Sequence, residues 1–93
     1  MSVIVRSEVS DALGRAEARG QKRVRVIVGL RPGGSMDSLK DALTRLGATQ
    51  YYRESEGFLA VELSRQQVLR LSKLTEHVSS IWLDRPVAAA KGQ

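Results

Sequence analysis

From Arg23 to Leu30 the chain alternates: Val24, Val26, Val28 and Leu30 fall on one side of an extended backbone, and Arg23, Arg25, Ile27 and Gly29 on the other. A period of two in β-branched residues predicts a strand, and the RPGG that follows ends it. The period then changes. Met36, Leu39, Ala42, Leu43 and Leu46 recur at helical spacing, behind a Ser35 suited to the N-cap and ahead of a Gly47 suited to a left-handed C-cap. Ala48 to Arg53 and Phe58 to Leu63 are strand-like, with ESEG between them as a hairpin loop. Ser64 with Gln67 forms an S-x-x-Q capping box and opens a second helix, whose apolar stripe is Val68, Leu71, Leu74, Thr75 and Val78. SSIWLD is a final short strand, stopped by Pro86, which has no N–H for a ladder.

Strand, helix, strand, strand, helix, strand is the order of the split βαβ unit. The expected fold is therefore α+β and ferredoxin-like, βαββαβ, with a four-stranded antiparallel sheet and two helices on one face. Parity then sorts the side chains. Val24, Val26, Val28, Leu30, Leu59, Val61, Leu63, Ile81 and Leu83 belong to the helix-covered face. Ile27, Phe58, Ala60 and Trp82 belong to the other, with one of Tyr51 and Tyr52. No predicted element covers that second face, and an uncovered apolar patch of this kind marks an interaction surface.

Residues 1–22 stand apart. Val9, Leu13 and Ala16 share one side of a short helix, but the stripe is thin, Gly14 interrupts it and Gly20 ends it. They are expected to be a weakly structured leader outside the main core, with 23–86 the domain proper and 87–93 an extended tail. Ninety-three residues is one small domain, able to bury only about 60% of its unfolded surface. With no cysteine there is no disulfide framework and no thiolate metal site. No apolar run approaches the ~20 residues of a membrane span, so no membrane partner is expected. The N-terminus has only a three-residue apolar run, Val3 to Val5, with acids soon after, which is not a signal peptide. A cytoplasmic location is expected if the chain is complete, and a secreted or periplasmic one if it is cut from a longer precursor. Fifteen basic against ten acidic residues give a net charge of +5, dispersed apart from Lys22, Arg23 and Arg25. That balance favours anionic partners at long range and says little about fold.

Catalytic chemistry finds few residues to carry it, and no enzyme activity is expected. His77 is the sole histidine. It is expected in the last turn of the second helix, where a partly charged imidazole suits the helix dipole. One histidine and no cysteine leave no metal constellation, and no cofactor or small-molecule ligand is expected. Glu54, Glu56 and Glu62 form an acid group only if loop and strand carboxylates converge. Gly29, Gly33 and Gly34 lack the spacing and lysine of a phosphate loop.

Two binding functions fit the uncovered face. One is RNA, because RNA-recognition motifs share this strand order and stack bases on sheet aromatics. Laid on residues 56–63, the third-strand signature matches at Gly57, Phe58 and Val61. It departs at Glu56 and Ala60, and Ile27 stands where the first strand should carry a stacking ring. A nucleic-acid-binding or regulatory module using this face is therefore the weaker expectation. The other function starts from the tail. Val87, Ala88, Ala89 and Ala90 are small, uncharged and compatible with an extended chain. Such a segment can add as a strand to another protein's edge, as substrates do in protease clefts.

VRVIVGLRPG, a helix, the hairpin GATQYY to GFLAVEL, a second helix and VSSIWLDRPVAAA together resemble the propeptides of subtilisin-like serine proteases, and the stand-alone inhibitors similar to them, over about residues 23–90. The resemblance implies a ferredoxin-like inhibitor that acts as an intramolecular chaperone when it is part of a precursor. It implies docking on the protease through the open sheet face, with the C-terminal segment in the substrate cleft. Asp84 matches a family acid that caps a protease helix; a second capping acid is usual two residues earlier, where this chain has Trp82. The resemblance places Ala90 just before the scissile position and Val87 in the apolar selectivity pocket, with Ala88 and Ala89 extended between them. The docking face would then be Ile27, Phe58, Ala60, Trp82 and Asp84.

Overall fold

The computed structural model describes residues 3–74 and 76–84. Along the chain the elements are β1 (Ile4–Val5), α1 (Ser7–Ala18), β2 (Arg23–Leu30), α2 (Met36–Arg45), β3 (Tyr51–Ser55), β4 (Phe58–Ser64), α3 (Arg65–Leu71) and β5 (Val78–Leu83). Over the described residues the fold is α+β: one mixed sheet of five strands in the order β1-β5-β2-β4-β3, with three helices. The pairs β5–β2, β2–β4 and β4–β3 are antiparallel, whereas β1 lies parallel to β5. The four-stranded, two-helix sheet expected from the sequence is thus enlarged by one strand and one helix, both drawn from the N-terminal segment.

Local chemistry sets the helix ends. Ser35 caps α2, its hydroxyl accepting from the Ser38 N–H at 3.2 Å. At the far end Gly47 takes φ +82°, and the Gly47 and Ala48 N–H groups return to the Thr44 and Leu43 carbonyls, a Schellman closure. The capping box on α3 forms as its sequence requires. Ser64 Oγ accepts from Gln67 N at 3.3 Å, and Gln67 Oε1 accepts from Ser64 N at 2.8 Å. The Gln67 amide also donates to the Leu46 carbonyl at 2.9 Å, tying the start of α3 to the end of α2.

A single apolar core joins all three helices to one face of the sheet. Val26, Val28, Leu59, Val61, Leu63, Val78 and Ile81 meet Leu39 and Leu43 of α2, Val68 and Leu71 of α3, and Val9 and Leu13 of α1. The last pair corrects the expectation of a leader outside the core: both side chains are fully buried. Ala12 and Ala16 explain how so thin a stripe suffices. Both are buried, and their small side chains let the helix lie close to the sheet. Gly14 is exposed on the outer side of α1, where its weak helix propensity costs no packing.

The second expected helix is shorter than its apolar stripe suggested. It ends at Leu71, and Val78 opens β5 opposite Leu30. A register shift between Gly29 and Leu30 leaves Ser79 as an extra residue in β5. This bulge turns both Val78 and Ile81 toward the core although they are an odd number of residues apart. His77 therefore lies in the turn before β5 and not in a helix; its backbone N–H donates to the Leu74 carbonyl and its carbonyl accepts from Arg31 N. Thr75, placed in that stripe by the sequence, lies outside the described residues. Among those described, no helix is long and apolar enough to cross a membrane.

Candidate functional site

The sheet face opposite the helices has no element over it among the described residues. The register builds it row by row. Arg53, Ala60, Ile27 and Trp82 stand opposite one another across β3, β4, β2 and β5. Ser55, Phe58 and Gly29 form the next row toward the hairpin. Together Ile27, Arg53, Ser55, Phe58, Ala60 and Trp82 line a shallow groove of about 220 Å³. Phe58 is 44% exposed and meets Trp82 edge to face, with centroids 5.5 Å apart and planes at 73°. This is the favoured arrangement for two aromatic quadrupoles.

A close approach of backbone and indole fixes Trp82. A Cβ on Gly29 would stand 2.7 Å from Ser80 Oγ and 3.2 Å from a Trp82 ring carbon. Gly29 is thus needed for the space it leaves, since its φ is ordinary. Of the other glycines weighed as a phosphate loop, Gly33 sits in a tight turn at φ +85°, closed by Gly34 N donating to the Arg31 carbonyl at 2.7 Å. A Pro32-Gly33 centre is the sequence that such a turn calls for.

Charge rims the groove. Arg53 Nη2 donates to Asp84 Oδ1 at 3.0 Å; the Asp84 side chain is only 5% exposed and that of Arg53 is 58% exposed. The second Asp84 oxygen, Oδ2, is buried and accepts no hydrogen bond from the described residues. Arg25 stacks on the Tyr52 ring 3.7 Å from its centroid, and the Tyr52 hydroxyl donates to Glu62 Oε2 at 2.7 Å. The hydrogen bond to Glu62 holds the Tyr52 phenol above its ordinary pKa, with desolvation adding to the rise and Arg25 opposing it.

The two tyrosines part company at a second bulge. Pairing shifts between Tyr51 and Arg53, leaving Tyr52 as the extra residue of β3. Tyr52 and Arg53 consequently both serve the open face, while the Tyr51 hydroxyl reaches the Lys40 carbonyl of α2 at 3.4 Å. Glu54 also turns to the helix side, paired with Lys40. Glu54 and Glu62 therefore lie on opposite faces, and the three glutamates do not converge on one site. Among the described residues no cluster of histidine, cysteine and acidic side chains could hold a metal ion.

The structure brings Ile27, Phe58, Ala60, Trp82 and Asp84 together on one face. Val87, Ala88, Ala89 and Ala90 lie outside the described residues. Sequence parity missed Arg53, Ser55 and the Arg25–Tyr52–Glu62 chain. Alternation alone places Arg25 and Glu62 on this side, but only the bulge brings in Tyr52 and Arg53 together. Comparisons with protein-family models, curated proteins and solved structures find no match to this chain.

Proposed function

We propose that this domain inhibits a subtilisin-like serine protease, either as a propeptide that is also an intramolecular chaperone or as a stand-alone homologue. In this reading it catalyses no reaction and uses no cofactor. It docks by the groove of Ile27, Phe58, Ala60 and Trp82, and residues 87–90 enter the substrate cleft. The stretch from β2 to β5, taken as a ferredoxin-like βαββαβ unit to which β1 and α1 are added, supports the resemblance carried by the sequence.

The observation that carries the reading is Asp84 at the rim of an uncovered apolar groove. A nearly buried carboxylate with one oxygen left without a hydrogen bond by the described residues is open to further donors. The N–H groups at a protease helix N-terminus would complete it while the groove took up apolar side chains beside it. The test is titration of a purified subtilisin with the full chain, following peptide hydrolysis, beside a chain lacking Val87 to Gln93. Stoichiometric inhibition by the full chain, weakened at least about a hundredfold by the deletion, is expected; two factors of ten correspond to about 2.7 kcal/mol of binding. Undiminished hydrolysis at large excess of the full chain refutes the proposal, and equal inhibition by both chains refutes the role of the tail.

A nucleic-acid reading draws on Tyr52, Phe58, Trp82 and Arg25 sharing the face. Glu62 and Asp84 stand against it, since both place carboxylates where phosphate would approach. A salt-dependent change in Trp82 fluorescence on adding single-stranded RNA would favour it over protease docking.

A further inference from the structure

We propose that Arg53 is a strap across the open face, held down by Asp84 and lifted when a partner supplies the donors that Asp84 lacks. The proposal rests on the docking reading above and adds a gate to it.

The sheet order puts β3 and β5 three pairings apart, about 14 Å at the usual strand spacing. Arg53 nevertheless bonds Asp84 at 3.0 Å. Its own row runs Arg53, Ala60, Ile27, Trp82, and Asp84 follows Trp82 by two residues. To close that distance the arginine stem must lie along the row, above Ala60 and Ile27. Two observations agree. Arg53 lines the groove together with both residues. Ala60 is only 3% exposed, although no element among those described lies over its face.

The strap is held at one point. Its cation is 58% exposed and its carboxylate only 5% exposed, so lifting Arg53 with nothing in its place would leave a nearly buried charge unpaired, and the strap rises only as a partner supplies donors in its stead. Arg53 also serves only one of the two carboxylate oxygens and forgoes the paired bonds that make arginine–carboxylate contacts strong. A partner with two N–H donors satisfies Asp84 better than Arg53 does. The exchange lifts the stem from Ala60 and Ile27, opening the floor of the groove as the partner arrives. In the free domain the stem shields that apolar floor, with its charged end in water.

Trp82 is the only tryptophan and borders the strap, so it reports on both states. Arg53→Ala, Arg53→Met and Asp84→Asn are compared with the native chain in two measurements. The first is acrylamide quenching of Trp82 fluorescence in the free domain, with far-UV circular dichroism to establish that each variant is folded. Arg53→Ala and Asp84→Asn should both raise the quenching constant; Arg53→Met, which keeps an unbranched stem without the charge, should raise it less than Arg53→Ala. The second is the association rate with subtilisin. It should rise several-fold for Arg53→Ala and fall for Asp84→Asn, which frees the strap but removes the docking carboxylate. Unchanged quenching in both Arg53→Ala and Asp84→Asn overturns the strap. Raised quenching without faster association of Arg53→Ala overturns its role as a gate. If the native chain leaves subtilisin uninhibited, the docking reading and the gate fall together, whereas the quenching result still decides whether Arg53 covers the groove.

Discussion

Replacing Leu13 by alanine tests whether the N-terminal helix belongs to the core. Leu13 is 1% exposed and packs with Val9 into the cluster that holds Val26, Val28 and Ile81. Truncating a leucine this buried costs about 2–5 kcal/mol, combining lost transfer energy with the cavity left behind. Alanines on the same helix face leave little bulk to fill the space, so we take about 3 kcal/mol. For a domain of this size the total stability belongs near the lower end of the usual ~5–15 kcal/mol, so one substitution removes a large share. With a urea dependence of about 1–1.5 kcal/mol per molar, the unfolding midpoint should fall by roughly 2–3 M, read by far-UV circular dichroism and Trp82 fluorescence together. Leu69→Ala is the control, because Leu69 is 58% exposed on α3 and should stay within about 0.5 kcal/mol of the native chain. A Leu13→Ala loss no larger than that of the control would return α1 to the periphery and refute the account of the core.

Trp82→Ala should weaken inhibition of subtilisin by about thirtyfold or more, the scale of a central aromatic anchor. It should cost little stability, because Trp82 lies on the uncovered face; global unfolding of this variant would contradict that placement. Gly29→Ala should destabilise the domain by about 1–3 kcal/mol through crowding and shift the Trp82 emission, since its Cβ would press on Ser80 and the indole; unchanged emission and stability would show that the contact relaxes freely. In a Tyr51→Phe background, ultraviolet titration should find Tyr52 ionising above its ordinary value of about 10, and Glu62→Gln should bring it down. Because the folded value is raised, the stabilisation from this hydrogen bond is present below about pH 10 and is lost as pH rises through the folded value. Equal titrations with and without Glu62→Gln would remove the bond from the account.

The face carrying Ile27, Phe58, Ala60 and Trp82 was legible because β2 and β4 pair without interruption from Arg23–Ser64 to Gly29–Phe58. Over such a stretch, alternation in the sequence is alternation in space. The tyrosine choice that parity left open and the misplaced Val78 both coincide with bulges. At β3 the extra residue decides which tyrosine faces outward, and in β5 it moves Val78 from an apparent helix stripe into a strand. Bulges are set by ladder geometry between strands, and nothing in the local residue pattern announced these two. The N-terminal segment was half legible. Val9, Leu13 and Ala16 were visible as one face, but a short stripe does not say which surface it covers. The Arg53–Asp84 pair was out of reach for a different reason: it joins residues 31 positions apart in the chain across the width of the sheet.

The parallel seating of β1 has a practical consequence for attachment. Ile4 lies beside Ser80 and Val5 beside Ile81, so the chain enters the sheet near the start of β5 and passes Asp84 at its other end. Ser80 and Asp84 are four positions apart, about 13 Å of strand. An affinity handle or carrier joined ahead of Val3 is therefore anchored at the end of β5 away from Asp84. Immobilised in that way, the domain would offer the Asp84 end of β5 outward, an orientation suited to capture on a surface.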